Sequence, residues 1–434
     1  MSRSRFKPQT YEVTIDKLIH GGQGVGTLTD GTADGKTDGK KALVWNVLPG
    51  EHVRFTTRKA KSSYVEGIAE EILKPSTERE VPRDELYLST SPWQMMTYAA
   101  ENRYKQEILA ETIARAGVTY AAEPGFTAPK DPWHYRNKME YSLYGDDDGL
   151  HLALFNRGTH GKRQVTGSSI ARPEVDATAQ AIRDVLRAAN VRAGDLKSLI
   201  VRCNEAGECV AALFTRDQKF QVVKELEGLC RGIVVVYSDP KSPASVRTQD
   251  LYKFGDISLS DMLLEAAIRY DVFSFFQGNL GIFRTALKEI QAAAGDTPVI
   301  DMYSGVGSIG LSLPQTDILV ESEAANVVWA KKNTGTPWTA TVVHASSERA
   351  LDHIDDKHTL IVDPPRAGLH HKLINHITEV KPPKIIYLSC NPATFARDLQ
   401  LLQTSYTIKS LNGYNFFPRT PHIEALAVLT IKST

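Results

Sequence analysis

The second half of the chain alternates short apolar runs with segments of helical spacing. From about residue 280, the β-branched and apolar runs predict strands, and helical segments lie between them. The predicted strands are Val299–Tyr303, Ile318–Glu321, Thr341–His344, Thr359–Asp363 and Lys384–Cys390, with a last pair near 406–410 and at Glu424–Ile431. This alternation predicts a mostly parallel, doubly wound α/β sheet. In such sheets, ligands bind beyond the carboxyl ends of the strands.

The first 75 residues have the shorter period of a small β-barrel. Apolar residues alternate in Tyr11–Ile15, Ala42–Trp45, His52–Phe55 and Val65–Ile68, and glycine-rich turns separate these segments. Five short strands of this kind fit an OB-like barrel, a fold often used to bind nucleic acid. An SH3-like structural barrel is the alternative. The low-complexity stretch from Asp30 to Gly39 is expected to be a mobile loop.

Between these two units, the pattern predicts a helix and an α+β domain. Residues 94–116 have helical spacing, with Gly117 placed to end the helix, and a helix within 94–125 is expected to pack on the C-terminal sheet. Residues 128–260 combine hairpins with a helix. One predicted hairpin brings Cys203 near Cys209, but no further ligands lie nearby in sequence. We therefore expect structural thiols there and not a metal site.

Composition and charge narrow the class of protein without identifying a partner. The 434 residues include 51 Lys+Arg and 51 Asp+Glu, so net charge does not indicate nucleic acid. Basic clusters at 54–61 and 157–163 could contact phosphates or could be solvated faces. No apolar run is long enough for a membrane helix, and the first ten residues lack the apolar segment of a secretory signal. The four cysteines do not form a disulfide framework, so a reducing cytoplasm is expected.

A glycine-rich turn follows the first strand of the predicted sheet. Gly305, Gly307 and Gly310 form the spacing G-x-G-x-x-G, which lets the backbone turn sharply and approach a ligand closely. The motif fits a dinucleotide site as well as a site for S-adenosylmethionine (SAM). Asp301 is placed to receive the ammonium of SAM. Glu321, at the end of the next strand, can bridge ribose hydroxyls, as carboxylates also do in NAD sites.

Cys390 favours methyl transfer over hydride transfer. Uracil C5 is too weakly nucleophilic to take a methyl group until a thiolate adds at C6, and a base must then remove the C5 proton. Cys390 fits the nucleophile and Glu424 fits the base, while His422, two residues earlier and predicted on the same strand face, competes for the base role. Gln277, in an aromatic run, is either a helix-start residue or a group that contacts the cofactor or the base.

Five motifs appear in order along the C-terminal half: Phe275–Asn279, Asp301–Gly307, Asp363–Gly368, Ser389–Thr394 and His422–Glu424. Together they resemble the RNA uracil-C5 methyltransferase family, which acts on tRNA or 23S ribosomal RNA. The segments Gly21–Gly26 and Leu48–Glu51 resemble the family's TRAM domain, an OB-like RNA binder, and Tyr135–Tyr141 resembles its central domain.

The resemblance implies three domains: a TRAM barrel at 1–75, an α+β central domain at 76–265, and a Rossmann-like, doubly wound SAM-dependent methyltransferase domain at 266–434. It implies Cys390 as nucleophile and Glu424 as proton acceptor. The implied SAM contacts are Gln277, Tyr303, Glu321, Asp363 and Ser308. The implied reaction makes 5-methyluridine in structured RNA, by a monomer without a membrane partner. A non-catalytic RNA-binding protein and an NAD(P)-binding oxidoreductase are the alternatives.

The sequence departs from the family pattern at one site. Many members hold an iron–sulfur cluster on four cysteines. Here Ser91–Gln94 stands where the third of these cysteines would be, Gly167–Ser169 lies near the place of the last, and no cysteine precedes Cys203. Since cluster ligation needs thiolates, we predict no cluster, with Trp93 and Met95 filling the space by apolar packing.

Overall fold

The chain folds around three sheets and a hairpin. The computed structural model describes residues 7–28, 39–120, 123–242, 245–335 and 339–432. Apart from Gly39, the predicted loop from Asp30 to Gly39 lies outside these residues. Within them, none of the helices combines the length and the apolar character needed to cross a membrane.

The N-terminal sheet curls around its own core. Its strands are β1 (Thr10–Thr14), β2 (Lys17–Leu18), β3 (Gly24–Thr27), β4 (Lys41–Trp45), β5 (His52–Ala60) and β6 (Tyr64–Lys74), in the order β1-β5-β6-β4-β3-β2. Alternate side chains point inward and pack around Phe55. The curl brings the backbone of β3 against β1, so that a Cβ on Gly26 would lie 2.3 Å from the Thr14 carbonyl oxygen. Six strands form where five were predicted, and the OB-like assignment stays a prediction.

The helix that follows lies within the predicted residues 94–116 and, as predicted, ends before Gly117. After a single turn, α1 (Tyr87–Thr90), helix α2 spans Tyr98–Arg115. Its N-terminus is capped by the Thr97 side chain, which accepts a hydrogen bond from the Ala100 N–H. It ends because Gly117 adopts a left-handed φ of 71°. The apolar face of α2 packs into the same core as one face of the C-terminal sheet, as expected.

The central unit is a seven-stranded sheet with one long helix on it. A short strand β7 (Gly125–Thr127) comes first and pairs elsewhere. The sheet then uses β8 (Lys138–Asp146), β9 (Gly149–Phe155), β10 (Lys162–Gln164), β11 (Leu196–Cys203), β12 (Cys209–Thr215), β13 (Gly232–Tyr237) and β14 (Gln249–Gly255), with α3 (Pro173–Ala188) packed against it. Cys203 lies directly opposite Cys209 in the β11–β12 register, as predicted. Among the described residues, no group of three or more His, Cys, Asp or Glu could hold a metal ion.

The C-terminal unit is the doubly wound sheet that the sequence predicts. A hairpin of β15 (Ser258–Leu263) and β16 (Ala266–Asp271) precedes it. Its elements are α4 (Leu280–Ala294), β17 (Val299–Met302), β18 (Thr316–Glu321), α5 (Ala324–Asn333), β19 (Thr341–His344), β20 (Thr359–Val362), α6 (His371–Val380), β21 (Lys384–Ser389), α7 (Pro392–Leu402), β22 (Tyr406–Tyr414) and β23 (Glu424–Ile431). The sheet order is β19-β18-β17-β20-β21-β23-β22-β7.

Both faces of this sheet are buried. Strands β17 to β21 run parallel, and β23 is inserted antiparallel between β21 and β22. Alternate residues of a strand enter different cores: Leu360 and Val362 pack with α2, α6 and α7, and Ile361 packs with α4. Such strands read as continuous apolar runs because neither face meets water.

A polar network and apolar side chains together occupy the region where the family's cluster would lie. The Asp84 carboxylate accepts hydrogen bonds from the Ser168 hydroxyl (3.1 Å), from the Ser169 N–H and hydroxyl, and from the Gln94 amide (3.0 Å). Ser91 bonds to the same amide at 2.6 Å. Trp93 and Met95 are buried beside it, as predicted, but they do not fill the space alone.

We expect Asp84→Ala to lower the first unfolding transition temperature. It leaves the donors of Ser168, Ser169 and Gln94 without their acceptor, which costs about 1–3 kcal/mol when such groups are poorly solvated. Differential scanning calorimetry measures the shift. The matched control is the neighbouring Glu85→Ala, whose exposed pair with Arg163 is worth about 0–1 kcal/mol. Equal melting temperatures for the two variants would contradict a structural role for the network.

Candidate active site

The chemically important side chains meet at the carboxyl edge of the C-terminal sheet. Glu321 is the last residue of β18, Asp363 follows β20 and Cys390 follows β21. Glu424 reaches the same edge from the opposite direction, because β23 is antiparallel and begins there. Ser389 pairs with Ala425 in this register, so Cys390 and Glu424 are the next residues on the two adjacent strands.

Hydrogen bonds fix the loop that carries Cys390 to the loop after β20. Asn391 caps α7 by accepting a hydrogen bond from the Ala393 N–H, and Pro392 occupies the first helical turn. The Asn391 amide and the Thr394 hydroxyl both donate to the Arg366 carbonyl, at 2.8 and 3.2 Å. The thiol is therefore held between two anchored loops.

The electrostatics of this edge oppose ionisation of the thiol and of the carboxyls. Burial, followed by the negative charges of Glu424 and Asp363, raises the pKa of Cys390 to about 11. Burial also raises the pKa of Asp363 to about 7 and, with help from Asp363, raises the pKa of Glu424 well above its ordinary value. Arg366 counters these effects at both Cys390 and Glu424, and a backbone hydrogen bond adds to its effect at Cys390. Such perturbed groups in one place are typical of functional sites.

Glu424 is a buried carboxylate without a hydrogen-bond partner. Its side chain is 5% exposed, and it accepts no hydrogen bond from any part of the chain that the structure describes. Two other buried carboxylates have cationic partners, Glu51 with Arg79 and Glu101 with Lys105, whereas Asp301 beneath the glycine turn has one oxygen, Oδ1, without a partner among the described residues. Because an unpaired buried carboxylate is costly, its retention at Glu424 indicates a use for a proton acceptor there.

His422 is not placed as the sequence predicted. It precedes β23 and is not on a strand face with Glu424, because β23 begins only at Glu424. Desolvation within a cleft lowers its pKa to about 4, with further lowering by Arg366 and more distant cations. The ring contacts Phe417 edge-on, with 5.7 Å between ring centroids. A nitrogen this weakly basic is a poorer proton acceptor than the Glu424 carboxylate.

The glycine turn has one open side and one packed side. Tyr303 and Gly305 both adopt left-handed φ values, 65° and 59°, and a Cβ on Gly305 would meet no atom within 4 Å. In contrast, a Cβ on Gly310 would lie 2.4 Å from Leu319 and 2.9 Å from Asp301. The turn thus offers open backbone at Gly305 for the close approach of a ligand.

Asp301 lies beneath the glycine turn. Its side chain is fully buried and accepts a hydrogen bond from the Gly310 N–H at 2.8 Å, which fixes the turn from below. Burial raises its pKa to about 8. Its other oxygen, Oδ1, has no partner among the described residues, and the expectation that Asp301 receives a ligand ammonium stays a prediction.

The other residues expected to contact the cofactor lie around the turn. Glu321 is 7% exposed and accepts from the Gly305 N–H (2.7 Å) and the Glu323 N–H (2.6 Å), which aims it at the open side. Tyr303 is half-buried, and its hydroxyl accepts from Ser347 at 2.7 Å. Ser308 is half-buried within the turn.

Gln277 lies just before α4, beside the segment that leads to Glu424. Its backbone carbonyl accepts from Asn137 at 3.0 Å, while its amide side chain makes no hydrogen bond to the described residues. Gly278 faces the Phe417 ring, 3.7 Å from the position a Cβ would take. The helix-start reading of Gln277 explains its position but not its unpaired, 8% exposed amide.

The N-terminal sheet reaches the mouth of the site, which the sequence did not reveal. The turn between β2 and β3 packs on Pro421, so closely that a Cβ on Gly22 would lie 2.6 Å from it, and the Trp93 indole donates to the Gly22 carbonyl at 3.2 Å. A cleft of about 460 Å³ opens between the three units, lined by Trp45, Arg136, Arg157, His422 and neighbours. A long-range contact of this kind leaves no local pattern in the sequence.

The two basic clusters also meet at this cleft. The Arg58 guanidinium donates to the Arg157 carbonyl at 2.9 Å, and the Arg157 guanidinium lies 3.9 Å from the centre of the Trp45 ring. Not every cation of these clusters is free, since Arg54 pairs with Glu12 and Glu71.

The C-terminal fifth of the chain matches a family model. Residues 347–432 match the family described as tRNA (Uracil-5-)-methyltransferase. That span contains Asp363, Cys390 and Glu424.

Relatives match over nearly the whole length. A protein of Enterococcus faecalis named "Uncharacterized RNA methyltransferase" is 29% identical over 98% of both chains. One of the same name from Halalkalibacterium halodurans is 27% identical, also over 98% of both. In structure, the chain is similar to the Pyrococcus abyssi tRNA (uracil-54, C5)-methyltransferase in complex with S-adenosyl-L-homocysteine, with a TM-score of 0.79 and 21% identity over 97% of this chain and 100% of that one. These comparisons confirm the resemblance, the α/β methyltransferase fold and the prediction of an enzyme, while the OB-like barrel stays a prediction.

We expect Arg366→Gln to slow alkylation of Cys390 by iodoacetamide at a fixed pH between 8 and 9. Removal of the only nearby cation raises the pKa of the thiol further, so the thiolate fraction and the rate should fall about two- to fivefold. Peptide mass spectrometry of the Cys390 peptide over a pH series measures this. Lys372→Gln, which removes an exposed cation on α6, is the control. An unshifted pH profile in Arg366→Gln would show that its charge does not act on the thiol.

Proposed function

The chain resembles the RNA uracil-C5 methyltransferases along almost its whole length, and from this premise we propose that it methylates C5 of a uridine in structured RNA. The observation that carries the proposal is the meeting of Cys390 and an unpaired, buried Glu424 at adjacent strand ends, beside an open glycine turn. Tests of methyl transfer follow from the roles of these residues.

S-adenosylmethionine is the methyl donor, and the residues around the turn fit it. The open side of Gly305 admits close approach of the ligand, and the buried Glu321 carboxylate retains lone pairs for ribose hydroxyls. The Gln277 amide, which makes no hydrogen bond to the described residues, and the Tyr303 side chain are the further cofactor contacts that the resemblance implies. Asp363 accepts no hydrogen bond from the described residues and is free to bind a cationic ligand. Ser308 contributes from within the turn.

When bound, this cofactor supplies an electrophilic methyl group on a cationic sulfonium. A cation near the site would also lower the pKa of the Cys390 thiol, which burial and then the neighbouring carboxylates raise to about 11. The Cys390 thiolate adds to C6 of the uracil, forming a C–S bond and moving the electron pair of the double bond to C5. This makes C5 nucleophilic enough to take the methyl group, whose bond to the sulfonium sulfur would break and leave S-adenosylhomocysteine.

Glu424 completes the reaction as the general base. Its carboxylate removes the proton from C5, the C5–C6 double bond re-forms and the C6–S bond breaks, which returns the thiolate. The raised pKa of Glu424 makes it a stronger base than an ordinary carboxylate. Arg366 favours the ionised forms of both Glu424 and Cys390.

The RNA substrate enters through the three-sided cleft. The target base must leave its stack to reach Cys390, at a cost of a few kcal/mol. Arg136 and Arg157 line the approach and suit phosphates, so affinity should fall with salt. Of the aromatic residues before β23, Tyr414 and Phe416 are buried in the core and cannot stack on a base, whereas Phe417 is half-buried. We take the substrate to be a tRNA or 23S ribosomal RNA, and the enzyme to act as a monomer. Its four free cysteines suit the reducing cytoplasm.

We expect the wild-type protein to transfer labelled methyl from S-adenosylmethionine to uridine-containing RNA, and to form a covalent adduct with RNA that carries 5-fluorouridine. The adduct persists because C5 then has no proton to lose. Cys390→Ala should abolish the adduct on a denaturing gel, while the control Cys230→Ala, in the turn before β13, should retain it. An adduct with Cys390→Ala would overturn the proposed nucleophile, and the absence of any methyl transfer by wild type would favour a non-catalytic RNA-binding role.

Glu424→Gln should stall the reaction after methyl transfer. Loss of a general base typically costs about 10²- to 10⁴-fold in rate, so the methylated covalent complex should accumulate on ordinary RNA. Denaturing gels with labelled methyl groups detect it. His422→Gln should still release product. The reverse pattern, accumulation with His422→Gln and normal turnover with Glu424→Gln, would move the base to His422.

A further inference from the structure

The six residues 415–420, between β22 and His422, are hydrogen-bonded from widely separated parts of the chain. We call this segment the base loop, because it leads to the proposed base. Its four consecutive carbonyls are held as follows: Phe416 by the Asn279 amide (3.2 Å), Phe417 by Lys105 (3.1 Å), Pro418 by the Tyr135 hydroxyl (2.9 Å) and Arg419 by the Trp93 N–H (3.0 Å). A loop in which every successive carbonyl has a distant donor has few conformations open to it.

A buried ion pair of α2 supplies the charged groups among the hydrogen-bond partners of the base loop. Glu101 and Lys105 are one turn apart, and both side chains are fully buried. The Lys105 ammonium uses all three of its donors, to Glu101 (2.8 Å), to the Asn415 amide oxygen (2.6 Å) and to the Phe417 carbonyl. Glu101 accepts from the Asn415 amide at 2.9 Å and from the Arg419 N–H at 2.9 and 3.0 Å.

The same pair holds a strained residue in place. Arg419 has a φ of 64°, in the left-handed region that a non-glycine residue rarely adopts. Besides the Glu101 bonds to its N–H, its guanidinium donates to the Met96 carbonyl at 2.7 Å and lies 4.7 Å from the centre of a Trp133 ring. Strain of this kind persists only where the surroundings determine the conformation, and it clusters near functional sites.

The base loop leads through Pro421, His422 and Ile423 into β23, which begins at Glu424. The Thr420 hydroxyl donates to the Phe417 carbonyl at 2.7 Å and accepts from the His422 N–H at 3.3 Å. Phe417 also contacts the His422 ring. From Arg419, five residues lead to Glu424, so a shift of the base loop moves the start of β23 against Cys390.

We propose that Glu101 and Lys105 are positioning residues, which fix the base loop and thereby set the Glu424 carboxylate for removal of the C5 proton. The inference rests on the proposed function. A buried ion pair adds little net stability compared with apolar side chains of similar size. Its value here lies in the three directed donors and the fixed acceptor that it presents to the loop.

The test uses the full-length double variant Glu101→Gln/Lys105→Met, which removes both charges of the pair and leaves the buried Arg419 guanidinium with Glu80 as its carboxylate partner. The matched control is Glu111→Gln/Arg115→Met, a partly exposed pair with the same spacing on the same helix, in which Glu111 also pairs with Lys17. We expect the double variant to bind S-adenosylmethionine and to trap 5-fluorouridine RNA as wild type does. On ordinary RNA its kcat should fall about 10- to 100-fold, with the methylated covalent complex accumulating, since misplacement by about 1 Å can cost that much.

A merely structural role predicts a different pattern. Cofactor binding, trapping of 5-fluorouridine RNA and turnover would then all fall in proportion to the folded fraction measured by near-ultraviolet circular dichroism. That result would overturn the inference, and so would a kcat equal to that of the control variant. Should the double variant not fold, Tyr135→Phe removes only the hydrogen bond to Pro418, and it should slow the same release step about fivefold; normal release would overturn the inference. If wild type itself neither methylates nor traps RNA, the proposed function fails instead.

Discussion

The site depends on one feature of strand topology, the antiparallel insertion of β23 beside β21. A parallel strand in that place would bring its carboxyl end to Cys390, and its first residue would lie at the far edge. Because β23 runs the other way, the chain enters the sheet at the catalytic edge and delivers Glu424 with its first residue. The Ser389–Ala425 register is equally necessary, since a slip by one residue would turn every β23 side chain to the other face of the sheet.

Buried carboxylates at the site differ from those elsewhere in the molecule in whether they have hydrogen-bond partners. Elsewhere, two buried carboxylates have such partners: Glu51 is paired with Arg79, and Glu101 lies in a network with Lys105 and Asn415. At the sheet edge, Asp363 and Glu424 have no hydrogen-bond donors among the described residues, and the exposed Arg366 only partly offsets the raised pKa of Glu424. Burial of two neighbouring carboxylates is unfavourable, and a cationic ligand would offset this cost, because each carboxylate would then gain an opposite charge.

Much of the C-terminal half could be predicted from sequence. The strands end within a residue or two of their predicted ends in most cases, because apolar runs buried on both faces are long and unambiguous. The predicted positions of Cys390 and Glu424 follow directly, since each lies next to the end of such a run. The assignment of roles to these two residues still rests on the proposed chemistry.

What the sequence did not show depends on distant contacts. Asp301 has the spacing of a ligand contact but lies beneath the turn, because Gly310 packs over it. His422 was predicted on the same strand face as Glu424. The apolar run of β23 begins only after Glu424, so the sequence does not show that the strand itself starts at Glu424 and excludes His422. The Glu101–Lys105 grip on the base loop joins residues more than 300 positions apart, and neither looks unusual among the exposed charges of an ordinary helix.

The central claim is that this sheet edge methylates C5 of uridine in RNA through a thiol adduct. Release of tritium from RNA labelled with [5-³H]uridine tests it most directly, because only substitution at C5 frees that hydrogen. The account predicts that tritium enters water in a one-to-one ratio with methyl groups transferred from S-adenosylmethionine, and that Cys390→Ala releases none. Methyl transfer to the RNA without tritium release would contradict it, since the methyl group would then be attached elsewhere.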